Sequence, residues 1–213
     1  MRSLSAFASL ARNRRISLAV GCAILVAGVA FVGAHRRVAA AALADRIAEQ
    51  ARERKESVAA LMGQTLESLL TIAEIIANDE AAHALLRSGR AAVATEPGPG
   101  GGEIAAHYRE RLRQRLAPAW RVAADRYGLR QLAFHLAPER RTFLRVHDSD
   151  RFGEPLAESR PLVVSALARG EAVSGFEVGP FESGLRGVVP VFAEPGVARG
   201  APIGAVEVGA AFT

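Results

Sequence analysis

Residues 132–192, LAFHLAPERRTFLRVHDSDRFGEPLAESRPLVVSALARGEAVSGFEVGPFESGLRGVVPVF, carry the pattern that decides the fold. Apolar and polar side chains alternate in short runs separated by turn residues, which predicts strands over residues 131–136, 142–147, 173–179 and 185–192. The sequence beyond adds a fifth strand over 203–212. Between the second and third runs, residues 155–169 read as a turn followed by a helix that ends at Gly170. Every connection except that one is short, so the expected sheet is antiparallel with a single helical insertion.

Upstream the periodicity is helical. Residues 38–93 contain no proline and are dominated by alanine, leucine, glutamate and arginine, the composition of one long helix. Its first half is a charged stalk, with Arg46, Glu49, Arg52, Glu53 and Glu56 at three- and four-residue spacings. In its second half Val58, Leu61, Met62, Leu66, Leu69, Ile72, Ile76 and Leu85 form one apolar face. That face is covered either by the downstream domain or by the same helix of a second subunit. Residues 96–102, EPGPGGG, break the helix, and a second one runs over 103–127, with Tyr108, Leu112, Leu116 and Trp120 on one side and a kink expected at Pro118. The fold class is therefore α+β, with the long helix and second helix preceding a five-stranded antiparallel sheet.

Further upstream, residues 16–34 (ISLAVGCAILVAGVAFVGA) carry no charge and are bracketed by Arg12, Arg14 and Arg15 on one side and Arg36 and Arg37 on the other. At a rise of about 1.5 Å per residue such a helix spans roughly 28 Å, the hydrocarbon thickness of a bilayer. A cleavable secretory signal is the competing reading, but its apolar core is typically only about 7–15 residues long. The domain plan is a cytoplasmic N-terminus over 1–15, a transmembrane helix over 16–34, a helix for stalk and dimerisation over 35–95, the loop over 96–102, and the mixed domain over 103–213. Basic residues flank both ends, and the short arginine-bearing N-terminus favours the cytoplasmic side, which translocates the rest.

Composition excludes several classes. The net charge of +5 is spread as arginine interleaved with glutamate, with Lys55 the only lysine, so no basic and aromatic stripe for nucleic acid exists. Cys22 is the single cysteine and lies inside the apolar stretch, which removes disulfides and thiolate metal sites. No G-x-G-x-x-G opens a helix, and G-x-S-x-G, H-E-x-x-H and P-loop motifs are missing, so no enzyme activity and no cofactor are expected. His135 and His147 lack a third ligand at a recognisable spacing, and no metal is expected. His83 and His107 are placed on solvated helix surfaces. Gly175, Gly179, Gly184 and Gly187 read as bulge or turn residues, and Phe152-Gly153 as a tight turn.

The element order after a membrane anchor resembles the Cache superfamily of extracytoplasmic sensors. Phe143-Leu-Arg-Val-His147, Ser174-Gly-Phe-Glu177 and Leu185-Arg-Gly-Val-Val-Pro-Val-Phe192 are the pieces most similar to double-Cache sensory domains of bacterial chemoreceptors, sensor kinases and diguanylate cyclases. The resemblance covers roughly residues 37–212. It implies a PAS-like five-stranded sheet that binds a small metabolite on one face, in a single-pass protein of the bacterial inner membrane with its sensory domain in the periplasm. In that family a second membrane helix and an output module normally follow, whereas this chain ends at Thr213, so it reads as truncated after one sensory module, as a fragment or a stand-alone sensor.

The first two strands can be aligned so that Leu132, Phe134, Leu136, Leu144 and Val146 share one face, which puts Gln131, His135, Phe143, Arg145 and His147 on the other. Buried arginine and histidine need partners. Glu177, Arg186 and Glu207 on the later strands can supply them. Two readings stay open. In one, Arg145, His147 and Arg186, with Glu177 as the balancing acid and Phe143 beside them, bind a carboxylate or amino-acid-like ligand. In the other, Arg145 or Arg186 pairs with Glu177 or Glu207 and simply holds the strands together. The function expected is a membrane-anchored sensor that dimerises through its long helix; a tethered structural or assembly protein that binds a protein partner is the alternative.

Overall fold

The computed structural model describes residues 2–178, 183–197 and 200–211. The first helix, α1, runs Arg2–Ala77. Its stretch up to Val58 forms a unit of its own, and Ala59 onward belongs to a second, compact unit. Among the described residues, α1 contains the one segment long and apolar enough to cross a membrane, with a window of mean hydropathy 2.3.

In the second unit the expected single helix is two. α1 stops at Ala77, and α2 occupies Glu80–Thr95. The cause is Asp79, whose backbone turns extended and whose carboxylate accepts a 2.8 Å hydrogen bond from Ala82 N, the N-cap arrangement that starts a new helix. Arg115 clamps the same carboxylate at 2.8 and 2.5 Å, and with the helix amides holds its pKa below the ordinary value against the opposing effect of burial. The next helix, α3, spans Glu103–Tyr127 and runs through Pro118 without interruption. Glu96 starts it: its carboxylate accepts from the amides of Gly102, Ile104 and Ala105 at 3.0, 2.8 and 2.8 Å, so the Pro/Gly loop is folded back as a cap.

The strands are β1 (Leu129–Leu136), β2 (Arg141–Arg145), β3 (Val173–Val178), β4 (Ser183–Val191) and β5 (Gly204–Ala211), and α4 (Pro161–Arg169) is inserted before β3. They form one sheet in the order β2-β1-β5-β4-β3 with every neighbouring pair antiparallel. The expected strand ends Gly179 and Phe212 lie outside the described residues. α4 begins with Pro161 at its first turn and ends on Gly170, whose φ of 68° is the left-handed cap glycine accepts.

One face of the sheet packs on the helices. Leu132, Phe134, Leu144, Leu185, Val206 and Val208 meet Leu69, Leu86 and Leu112 there. Met62, Leu66, Ile72, Ile76 and Leu85 line this core as the helical periodicity indicated, whereas Val58 and Leu61 are exposed. Gly187 is neither a bulge nor a turn: a Cβ at this position would stand 2.7 Å from Leu70 N, so glycine lets the α1 backbone lie directly on β4. Gly184 and Gly175 likewise sit inside paired strands. The other face carries a smaller apolar cluster, in which Val163, Ala166 and Leu167 of α4 pack with Leu156, Val188 and Ala205.

The candidate ligand face of the sheet

The face beneath α4 is where the charged residues gather. Alternation along the strands aims Gln131 and His135 of β1, Glu177 of β3, Arg186 of β4 and Glu207 of β5 to this side. Arg186 is paired across the ladder with Gly175 and Gly209. A Cβ on Gly209 would stand 3.6 Å from the Arg186 guanidinium, so the missing side chain leaves room for the head group to lie along the sheet. Arg160, at the N-cap of α4, joins from above.

These groups form one network. Arg186 Nη1 donates to Glu207 Oε1 at 2.6 Å and to the Gln131 side-chain oxygen, and its Nε lies 3.5 Å from Glu177 Oε1. Arg160 Nη1 donates to Glu177 Oε1 at 3.3 Å, and its Nε is 4.0 Å from Glu207 Oε2. The second Glu177 oxygen accepts from the amide of Leu162 at 3.1 Å, which places a carboxylate on the N-terminus of α4, where helix dipole and free amides favour it. His135 Nε2 donates to Glu207 Oε2 at 2.8 Å, and its Nδ1 is 3.4 Å from the Thr142 hydroxyl.

All five ionisable members are at most 5 % exposed. Two arginines, Arg160 and Arg186, face two carboxylates, Glu177 and Glu207, and His135 is bonded to the second of these. Burial opposes the charge on Glu207, but the hydrogen bond from His135 and the positive charges around it prevail and hold its carboxyl far below the usual range.

The second group lies at the β2 end of the same face. Arg145 donates to the Arg151 carbonyl at 2.7 Å and pairs with the Glu154 carboxylate, fastening β2 to the connection that leads into α4. Burial acts to raise the pKa of Glu154, yet hydrogen bonds from Arg145 and Thr142 bring it below the ordinary value. His147 Nδ1 lies 3.3 Å from N and 3.2 Å from O of Leu132. Burial lowers the His147 pKa, outweighing the backbone contact, and the neighbouring Arg145 charge adds to the effect.

The structure therefore brings Glu177 and Arg186 together with Glu207, as the strand-pairing reading has it, while Arg145 takes a different acid. Phe143 is a correction. Ala133 pairs with Arg145 and Phe134 with Leu144, but His135 pairs with Thr142, so Phe143 is the extra residue of a β-bulge. The bulge turns its ring to the helix side, where a Cβ on Gly89 would stand 2.2 Å from the ring, and where the Arg109 guanidinium carbon is 5.6 Å from the ring centroid. It does not share the face of Arg145 and His147. His83 is a second correction: it is 4 % exposed and bonded to the Phe192 carbonyl, so it is not a solvated surface histidine.

Arg160 and Glu154 are the network members that strand periodicity misses, because both lie in the connection before α4. The Arg-Pro pair opening that helix was the available signal for Arg160. Among the described residues no three histidine, cysteine or carboxylate side chains converge as they would on a metal ion.

Among solved structures, the E. coli DcuS sensor domain matches with 17% identity and a TM-score of 0.34, covering 62% of this chain and 92% of that one. The extracellular domain of vpHK1S-Z8, described as a histidine kinase, matches with 16% identity and a TM-score of 0.43, covering 74% and 58%. The ligand-binding domain of the Campylobacter jejuni chemoreceptor Tlp3, in complex with 4-methylisoleucine, matches with 12% identity and a TM-score of 0.35, covering 71% and 60%. No curated protein is significantly similar to the chain. The family model dCache_3, described as the double sensory domain of two-component sensor kinases, matches residues 45–213. A match over that much of the sequence, on a five-stranded antiparallel sheet preceded by an apolar N-terminal helix, makes the chain a member of this Cache-type sensory family.

Proposed function

We propose that the protein is a membrane-anchored, non-catalytic sensor whose ligand is a small carboxylate or amino-acid-like metabolite bound beneath α4. One observation carries the reading: the centre of the α4 face is made of Arg160, Arg186, Glu177, Glu207 and His135, all buried. A closed ion network is no more stabilising than well-packed apolar side chains of the same volume, and often less. Charges retained there make the face selective for a charged ligand. Glu177 stands where a ligand carboxylate would, on the amide of Leu162 and beside both arginines. Binding exchanges one carboxylate for the other and releases Glu177, with Arg145 and His147 bordering the site at the β2 end.

Arg186 and Gly187 are adjacent on β4 and face opposite ways. Gly187 holds the backbone of α1 at Leu69 and Leu70, so a displacement of β4 at the ligand is felt by the helix on the far face. The ligand biases two states of that contact by its differential affinity for them. α1 crosses the bacterial inner membrane once, with the sensory domain in the periplasm, and pairs with its copy in a second subunit. The output is a chemotaxis receptor, kinase or cyclase.

A second reading, a tethered protein that assembles with a protein partner, is favoured by the closure of the network. The cavity that Arg186 and Gln131 line is only about 10 Å³, room for about one water. Thermal unfolding of the full chain in detergent, against organic acids, amino acids, amines and nucleobases, separates the two. A ligand at about 100 times its Kd stabilises by about 2.7 kcal/mol, which raises Tm by roughly 5–11 °C in a domain of this size. Sensing requires such a shift with a carboxylate and its loss in Arg186→Lys, which keeps the charge but not the planar fork. No shift with any carboxylate, or an unchanged shift in Arg186→Lys, rejects the assignment.

A further inference from the structure

Residues 146–160 join β2 to α4 and double back along β2. Gly153 N donates to the Thr142 carbonyl at 2.8 Å, Thr142 N to the Glu154 carbonyl at 3.3 Å and Leu156 N to the Arg140 carbonyl at 2.9 Å, so the connection covers the outer edge of β2. The Arg141 guanidinium donates to the Gly153 carbonyl at 2.7 Å, and Arg145 holds the Arg151 carbonyl and the Glu154 carboxylate. The same connection ends at Arg160, one of the two arginines of the network beneath α4.

Its tip is fastened to the helix layer. The guanidinium carbon of Arg109, on α3, lies 3.8 Å from the Phe152 ring centroid, the separation of a cation–π stack, and 5.6 Å from that of Phe143. Gly100 permits the approach, since a Cβ there would stand 2.6 Å from the Phe152 ring, and Gly153, at a φ of 82°, lies against the Gly100 backbone. Arg109 is 6 % exposed, whereas Phe152 is 40 % exposed. That difference decides what the contact can do. Arg109 also donates to the Gly100 carbonyl, so it keeps a partner when the ring leaves, and a half-exposed ring gives up little apolar burial by leaving. The stack can therefore be made and broken without stranding a buried charge.

The network beneath α4 is closed, with a cavity of only about 10 Å³ beside Arg186 and Gln131, so a solute reaches it when its cover moves. We propose that residues 148–160 are a strap over this face and that the stack of Phe152 on Arg109 is the latch that sets how often it opens. The strap's role in ligand access rests on the carboxylate reading of the face; the latch does not. Opening takes Glu154 off Arg145, which then meets an entering anion, and closing returns Arg160 above it.

Hydrogen–deuterium exchange of the full chain in detergent, without ligand, reads the opening. The reporters are the amides of Gly153 and Leu156, bonded to β2, and of Leu162, bonded to Glu177 inside the network at 3.1 Å. Phe152→Leu keeps an apolar side chain and removes the ring face. Loss of one cation–π contact should speed exchange at all three amides about two- to thirtyfold, with β4 and β5 unchanged. Phe152→Tyr keeps the stack and should exchange as the wild type does. Unchanged exchange in Phe152→Leu, acceleration spread equally over β4 and β5, acceleration that stops short of Leu162, or Phe152→Tyr exchanging as fast as Phe152→Leu would overturn the proposal. Failure of every carboxylate to raise the wild-type Tm rejects the reading of the site instead, and the exchange result still decides the latch.

Discussion

Replacing Glu207 by glutamine alters one charge while keeping the shape and most of the hydrogen bonding. Glu207 meets Arg186 at 2.6 Å and His135 at 2.8 Å, with Arg160 at 4.0 Å, and is 1 % exposed. In Glu207→Gln both arginines are left with Glu177 alone, so one buried positive charge is uncompensated. Breaking a buried pair from one side costs about 3–5 kcal/mol. At roughly 2–4 °C per kcal/mol in a domain of this size, Tm falls by about 6–20 °C. Because the folded carboxyl titrates below its ordinary 4.5, its stabilisation is complete above that pH and is lost as pH falls from there. The gap between wild type and variant should be constant from neutrality down to about pH 5.5 and narrow below about pH 4.5. Urea unfolding followed by Trp120, the single tryptophan and 7 % exposed, measures it without signal from the membrane segment. A gap under about 1 kcal/mol, or the same gap at pH 3 as at pH 7, refutes the reasoning.

Gly187→Ala drives a methyl to 2.7 Å from Leu70 N and 2.8 Å from Leu69 C, so α1 must lift from the sheet; urea unfolding should show a loss of about 1–3 kcal/mol. Gly89→Ala collides with the Phe143 ring, and combining it with Phe143→Leu should recover part of the loss, a coupling of at least about 0.5 kcal/mol in a double-mutant cycle. Simple additivity would place Phe143 elsewhere than the helix side of the bulge. His147 has a pKa lowered chiefly by burial, so its stabilisation is present above its ordinary 6.5 and is lost as pH falls through the lower folded value. His147→Gln should therefore flatten the stability profile below about pH 6.5 without steepening it above.

The strands, α3 and α4 were legible because each obeys a local rule. Period two marks the strands, Gly128 and Gly170 stop helices, and Pro161 starts one. The division between α1 and α2 was also written locally, in Asn78-Asp79-Glu80, but helix-forming residues on both sides hide it unless Asp79 is recognised as a cap. Phe143 could not be placed by alternation, since a bulge adds one residue and reverses the faces beyond it. The polar face was legible in Gln131, His135, Glu177, Arg186 and Glu207, which follow strand parity. Which acid each arginine meets was not, because Arg160 and Glu154 arrive from an irregular connection. His83 reads as a surface residue only while the β4–β5 connection that covers it is ignored.

The most direct measurement is a crystal structure of the chain grown with the carboxylate that raises its Tm most. The ligand carboxylate is expected between Arg160 and Arg186 and within hydrogen-bond distance of Leu162 N, with Glu177 turned away. A ligand bound elsewhere, with Glu177 still on Leu162 and both arginines, would contradict the assignment of this face as the sensory site.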